Sequence, residues 1–336
     1  MRVYQVEGAF GLENLKLAKR DMPEPGPGQV VVKMGAASLN FRDLMMVKGL
    51  YNPRQPLPLV PLSDGAGEIV AAGAGVTRVA VGDRVMGLFV QRWLDGPFSP
   101  EGRASTLGGP LDGMLAEYQV LEADGVVKTP AHLSDAEAAC LPCAPLTAWN
   151  ALFAQGNLQP GQRVLLQGTG GVSISALQLA KAAGAHVIIT SSSDEKLERA
   201  RRMGADQTLN YKETPDWGKA VLKMTGGFGV DHVVEVGGAE TLGHSMTAAR
   251  FGGSVHMIGV LAGVMTKLPV TSILMKHLRI QGIFVGSRAM FEAMNRALTV
   301  HNIHPVVDQQ VPFEEAPEAF HLLARGGHFG KVVVSF

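Results

Sequence analysis

The chain has 336 residues, more than one hydrophobic core of ordinary size holds, so two domains are expected. Hydrophobic residues make up 46% against 18% charged, and 30 basic side chains cancel 30 acidic ones. That balance leaves no basic stripe for a nucleic-acid backbone, no apolar run reaches the roughly 18 residues of a membrane span, and two cysteines, Cys140 and Cys143, make no disulfide framework.

The chain starts with Met1-Arg2-Val3-Tyr4-Gln5-Val6-Glu7, which lacks the charged-then-apolar layout of a signal peptide and reads as a first strand. A reducing cytoplasm is therefore the expected location. After the turn-rich Pro23–Gly28 come short apolar runs at Val30–Met34, Glu68–Ala72, Arg84–Gly87 and Ala116–Val120. Short strands at this spacing predict a β-rich, barrel-like domain. A Gly/Pro-rich loop fills 89–112.

From about residue 145 the rhythm changes. Strands are predicted at Val164–Gln167, Val187–Thr190, Val230–Glu235 and Gly253–Ile258, with helices at Val172–Ala183 and Asp194–Met203 between them. Alternation of this kind indicates a parallel sheet covered on both faces. A last helix near Phe291–Thr299 and a strand at Lys331–Val334 complete the chain.

Gln167-Gly168-Thr169-Gly170-Gly171-Val172-Ser173 follows a predicted strand and opens a predicted helix, the context of a dinucleotide fingerprint. Gly168 permits the tight turn and Gly170 lets a pyrophosphate approach the backbone. Thr169, Gly171 and Val172 lie where a helix N-terminus offers N–H groups to phosphates. Ser173 stands where the third glycine is usual and is expected to loosen helix–strand contact slightly. An NAD site places an acid about 20 residues on, at the end of the second strand. Here that place reads Thr190-Ser191-Ser192-Ser193, and the hydroxyls of Ser191 and Ser192 suit a 2′-phosphate. Asp194 is expected to cap the next helix.

Ser63-Asp64-Gly65-Ala66-Gly67, then Gly73 and Val81-Gly82-Asp83-Arg84-Val85, resembles the N-terminal signature of the medium-chain dehydrogenase/reductase superfamily. The likeness runs from Gly28 to Lys331. It implies an α/β chain: a GroES-like barrel domain at 1–143 and 285–336, and a Rossmann doubly wound parallel sheet at 144–284. Zinc alcohol dehydrogenases of that superfamily bind metal through a Cys, a His, an acid and a second Cys. The matching positions here are Asn40, Ser63, Asp64 and Cys143, and the cysteines that hold a structural zinc are missing from 89–112. No zinc is expected.

Asn40-Phe41-Arg42-Asp43 with Gly49-Leu50-Tyr51 instead resembles the zinc-free quinone oxidoreductases. The resemblance implies hydride transfer from NADPH, favoured over NADH, to a quinone, enone or other activated carbonyl. Negative charge then forms on oxygen, and a well-aimed donor is worth roughly 3–4 kcal/mol. Candidate donors are Asn40, Arg42, Tyr51 and Thr147, with Tyr51 or a water supplying the proton. Lys196 and Tyr211 have the spacing of the 2′-phosphate grip in NADPH-dependent quinone reductases. Val260 and Leu261 match a turn that meets the nicotinamide, and Phe284, Val285 and Arg288 match a segment near the ring and phosphates. The partner expected is a small-molecule substrate, and the family habit of pairing through the cofactor domain implies a homodimer with an edge strand near Gly253–Ile258. Two rivals remain: an NADP-dependent alcohol dehydrogenase or carbonyl reductase, and a non-catalytic NADPH-binding protein.

Overall fold

The computed structural model describes every residue from Met1 to Phe336. They form two compact units, Met1–Leu146 with Val285–Phe336, and Thr147–Phe284. In the first unit, β1 (Arg2–Val6) and β2 (Leu15–Lys19) pair antiparallel as a separate ribbon. They are followed by β3 (Gln29–Ser38), β4 (Asp64–Ala72), β5 (Arg84–Gly87), β6 (Tyr118–Glu122) and β7 (Val126–Lys128). The long β3 is the organiser: β4 runs along one side of it, and β6 pairs with the Gln29–Lys33 half of the other. The register of β3 and β4 slips twice, and beside the slip at Met34 a Cβ on Gly67 would lie 2.0 Å from the Lys33 carbonyl oxygen. Only glycine allows that approach. β4 begins four residues before the apolar run that announced it, which puts Asp64 on the sheet and Ser63 at its edge. Within 89–112 lies one short helix, Pro100–Arg103, started by Ser99, whose side chain accepts from the Gly102 N–H at 3.1 Å.

The second unit holds β8 (Arg163–Gln167), β9 (His186–Ser191), β10 (Gln207–Asn210), β11 (Val230–Glu235), β12 (Ala249–Met257) and β13 (Arg279–Gly282). They form one parallel sheet in the order β10-β9-β8-β11-β12-β13. This is the doubly wound order of dinucleotide-binding sheets, with its switch point between β8 and β11. The central strands are apolar on both faces, and Val164, Leu165, Leu166, Val233 and Val234 are all fully buried. Each such side chain contributes about 1.5–3 kcal/mol by leaving water. The Gly253–Ile258 run is not an edge: β12 lies inside the sheet, and the edge is β13, whose polar, exposed Arg-Ile-Gln-Gly sequence hid it from apolar periodicity.

The tail returns to the first unit as β14 (Val307–Pro312) and β15 (Lys331–Ser335). β15 pairs with the Ala36–Ser38 end of β3, on the side where β6 holds the other end. The seven-stranded sheet so formed buries Val32, Ile69, Val332 and Val334 against Phe313 and Phe320. Through this pairing the last strand delivers Lys331 to the neighbourhood of Asn40.

Candidate active site

Asn40 precedes the helix Phe41–Val47 in extended backbone, φ −122° and ψ 154°. Its N–H donates to Asp43 Oδ2 at 2.8 Å, and the Asp43 N–H donates to the Asn40 carbonyl at 2.9 Å. Asp43 is wholly buried; burial pushes its carboxyl pKa up, against the pull of Arg42. Asn40 is 9% exposed and its amide is spent within the chain: Oδ1 accepts from Lys331 Nζ at 2.5 Å, and Nδ2 donates to Ser63 Oγ at 3.3 Å. Ser63 Oγ donates in turn to Asp64 Oδ1 at 2.9 Å, while Asp64 Oδ2 accepts from the Cys143 N–H at 3.1 Å. Burial pushes the Asp64 carboxyl up to about 7, with the Lys331 charge opposing it. The Cys143 thiol is driven far above its ordinary value, again by burial and then by Asp64.

Two expected donors are thereby corrected. Asn40 is an internal bridge between Lys331 and Ser63, because a buried amide takes the partners its own fold offers. The Arg42 guanidinium donates to the carbonyls of Leu107 (2.7 Å) and Gly109 (2.5 Å), lies 3.6 Å from Asp43 and stands over the rings of Tyr51 and Phe89. It pins the 107–109 turn. Tyr51 is 48% exposed, and its hydroxyl has no partner within the chain. Thr147 is buried on the helix Ala144–Trp149 and belongs to the second unit.

Lys331 was not foreseen. Its place at the head of Val332-Val333-Val334 suggests a solvated strand end, yet it is 4% exposed, with Nζ donating to the Leu39 carbonyl at 2.6 Å as well as to Asn40. Zinc does not fit this set. Asn40 and Ser63 are weak ligands already bonded, the Cys143 sulfur is held as a thiol, and an ammonium sits on the Asn40 oxygen. No group of three or more His, Cys, Asp or Glu side chains in the chain is placed to hold a metal.

The second unit carries the dinucleotide loop. Gly168 has φ 68°, a left-handed conformation that costs a side-chain-bearing residue about 1–2 kcal/mol. Gly170 is the N-cap of the helix Gly171–Ala182, and a Cβ at either glycine would meet nothing within 4 Å. Such open room beside the N-terminal residues Thr169, Gly171 and Val172 fits a pyrophosphate. Ser173 does not loosen the turn; it fastens it, donating to the Gln167 carbonyl at 2.6 Å.

Gln167 and Glu235 also escaped the sequence reading. Gln167 Nε2 donates to Glu235 Oε2 and Ser245 Oγ, both at 2.7 Å, and its Oε1 accepts from the N–H groups of Val236 and Gly237. Glu235 accepts from Gly237, Gly238 and Thr241 through Oε1 and from Ser245 through Oε2. This buried network ties the ends of β8 and β11 together at the switch point. A carboxylate closing the apolar run Val233-Val234 was its one visible trace in the sequence. The turn carrying Val260 and Leu261, both half exposed, is laced to it through Leu261 N–H to the Val236 carbonyl (3.3 Å) and Ala262 N–H to the Gly237 carbonyl (2.6 Å).

At the end of β9 the structure brings Ser191 and Tyr211 together: the Tyr211 N–H donates to the Ser191 carbonyl at 3.1 Å. Ser191 Oγ accepts from the Ser193 N–H, Ser192 is half-buried and Tyr211 is 39% exposed. The cap of the helix Asp194–Arg202 is Ser193, accepting from the Lys196 N–H at 3.4 Å, rather than Asp194, whose carboxylate accepts from Asn210 Nδ2 at 2.9 Å. Phe284 is half-buried, and Val285 is buried with φ 40°, a costly conformation for a β-branched residue. Arg288 is not available to phosphate as expected. It starts the helix Arg288–Val300 and donates to the Asp124 carbonyl (2.9 Å) and Oδ1 (3.0 Å), with Glu292 3.6 Å away.

A parallel 3-2-1-4-5-6 sheet with a glycine turn at its switch point defines a dinucleotide-binding fold. Residues 26–131 match the alcohol dehydrogenase GroES-like domain family, and 171–299 match the zinc-binding dehydrogenase family. A zinc-type alcohol dehydrogenase-like protein of Schizosaccharomyces pombe is 46% identical over 331 residues, 96% of either chain. The crystal structure of an NAD-dependent alcohol dehydrogenase superposes with a TM-score of 0.91 at 36% identity, covering all of both chains. An acryloyl-coenzyme A reductase of Metallosphaera sedula is 29% identical, covering 93% of this chain and 94% of its own. The chain belongs to the medium-chain dehydrogenase/reductase superfamily, among the alcohol dehydrogenase and quinone oxidoreductase-like proteins, and is an NAD(P)H-dependent oxidoreductase.

Proposed function

We propose that this enzyme works without zinc, takes NADPH in preference to NADH, and delivers hydride to a quinone, an enone or another activated carbonyl. The observation that carries the reading is the donor set around Asn40, Ser63, Asp64 and Cys143, which is closed on itself and holds the Lys331 ammonium. When bound, the nicotinamide supplies the hydride. The chain's part is to steady the oxygen that becomes anionic and to return a proton to it. Tyr51, with its unspent hydroxyl, is the side chain of the first unit assigned to that contact. The absence of a carboxylate at Ser191 and Ser192, with Lys196 and Tyr211 close in the fold to the end of β9, supports the 2′-phosphate and hence NADPH. The kinship with an acryloyl-coenzyme A reductase supports an activated alkene as acceptor.

A second reading, alcohol oxidation with NAD or NADP, is favoured by the likeness to an NAD-dependent alcohol dehydrogenase. The exposed apolar residues Val264, Met265, Val270, Leu274 and Met275 beside the β13 edge support a homodimer formed through the second unit. The two free cysteines suit a reducing cytoplasm, and no helix is long and apolar enough to cross a membrane.

The test is turnover of a quinone, an enone and a secondary alcohol with each cofactor, alongside elemental analysis. Reduction of the first two with NADPH, unchanged by a chelator and at substoichiometric zinc, is expected. Chelator-sensitive alcohol oxidation at one zinc per chain would overturn the reading.

A further inference from the structure

We infer that Lys331 is a positioning residue of the reaction site: its ammonium is the built-in cation of the oxygen cluster formed by Leu39, Asn40, Ser63 and Asp64, and it sets the direction of the side-chain hydrogen bonds that run from Asn40 to Asp64. The inference rests on the zinc-free reading proposed above, in which this cluster stands where the metal-ligand positions of the family fall.

An ammonium has three N–H donors and no acceptor. Lys331 Nζ touches the Leu39 carbonyl at 2.6 Å and the Asn40 side chain at 2.5 Å, so the Asn40 atom facing it is the oxygen. The amide nitrogen is then turned to Ser63 Oγ, 3.3 Å away. Having accepted that bond, Ser63 directs its own proton to Asp64 Oδ1 at 2.9 Å. Asp64 Oδ2 holds the Cys143 N–H at 3.1 Å. Polarity therefore runs one way, from Lys331 through Asn40 and Ser63 to Asp64.

Charge gives the second reason. Asp43 and Asp64 are fully buried, and both feel the Lys331 charge. Arg42, the other nearby cation, spends its donors on the carbonyls of Leu107 and Gly109. Asp43 has Arg42 3.6 Å away, whereas the cation whose charge acts on Asp64 is Lys331, itself 4% exposed and held on Leu39 and Asn40. A fixed positive charge in a buried setting also favours an anion forming nearby, since little water screens it. A neutral side chain of the same length removes both effects, whereas arginine keeps the charge.

The experiment compares wild type, Lys331→Met, Lys331→Arg, Asp64→Asn and the Lys331→Met/Asp64→Asn double variant. Two readouts are taken: the melting temperature, and kcat and KM for NADPH-driven reduction of an enone. Expected is a K331M enzyme with kcat about tenfold to a hundredfold lower, the range set by losing one hydrogen bond to a charged group. Its KM for NADPH should be unchanged, and K331R should recover most of the turnover. In melting, the double variant should be more stable than K331M alone, because the buried carboxylate no longer lacks its counter-charge. Simple additivity of the two melting losses, or full kcat in a destabilised K331M, would overturn the inference. If K331M fails to fold, a folded double variant supports the inference and an unfolded one overturns it. If wild type reduces no enone or quinone, the reaction assigned above fails, and the melting comparison alone decides whether Lys331 is the cluster's cation.

Discussion

The reaction-site cluster and the dinucleotide loop handle polar groups in opposite ways. Asn40, Ser63, Asp64 and Lys331 are all buried and bonded to a side chain or carbonyl of the same unit, so the cluster works through charge balance and fixed bond direction. At Gly168–Gly170 the chain contributes the lack of side chains: a left-handed turn, open room and a helix start. Substitutions in the first region are therefore felt by the fold and the chemistry together. Substitutions in the second are felt by the ligand first.

The largest effect that would test this contrast is at Gly170. Its φ of −81° accepts alanine without strain and the added Cβ meets nothing, so Gly170→Ala should melt like wild type. A methyl group in the room meant for a pyrophosphate should nevertheless weaken NADPH about a hundredfold, the scale of an ångström-sized misplacement. Calorimetric titration beside a thermal melt checks both halves, and a loss of stability without a loss of affinity would break the comparison.

Next comes pH. Asp64 has a folded pKa pushed up to about 7 from 3.8, so the folded state holds a proton the unfolded chain has released. Its stabilising contribution is full below about pH 4 and is lost as pH rises towards 7. In the second unit, burial in the stacked pair with His232 lowers His256 from 6.5 to about 3. There the unfolded chain binds the extra proton, so stability is present above about pH 6.5 and lost as pH falls towards 3. Melting curves between these limits should show Asp64→Asn flattening the loss on the alkaline side and His256→Gln flattening the loss on the acid side. Equal slopes in wild type and both variants would contradict the two burial assignments.

The smallest effects separate two basic residues that the sequence placed near cofactor phosphates, Lys196 at the 2′-phosphate and Arg288 near the nicotinamide ring and phosphates. Lys196→Ala should weaken NADPH about tenfold, the value of one charge-assisted hydrogen bond, and leave NADH unchanged. Arg288→Ala should leave both cofactors alone, because its guanidinium is paired with Asp124 and Glu292. Its stability cost should stay within about 1 kcal/mol, as for other exposed ion pairs. A specific loss of NADPH binding in the Arg288 variant would restore it to the phosphate site.

Much of the fold was legible because local pattern and long-range packing agree there. The apolar runs at β8, β9 and β11 mark strands whose both faces are covered, and the Gly168 turn names its own backbone conformation. β13 was missed because an exposed edge strand needs no apolar pattern, and Ser193 was passed over beside an equally suitable cap. The candidate site was legible in its positions but not in its bonding. Asn40, Ser63 and Asp64 announced themselves as departures from a metal-ligand pattern, yet nothing local says where their protons go.

Sequence alone determined the two-domain α/β plan, the nucleotide turn and the weakness of the metal-ligand set, because each rests on residue type and short spacing. Tertiary structure decided which donors are still free. Asn40 and Arg42 are spent on partners far along the chain, and Lys331 reaches Asn40 across 291 residues because β15 pairs with the end of β3. A buried charge has to find its counterpart wherever the fold brings one, and that choice is made by strand order rather than by neighbours in the chain.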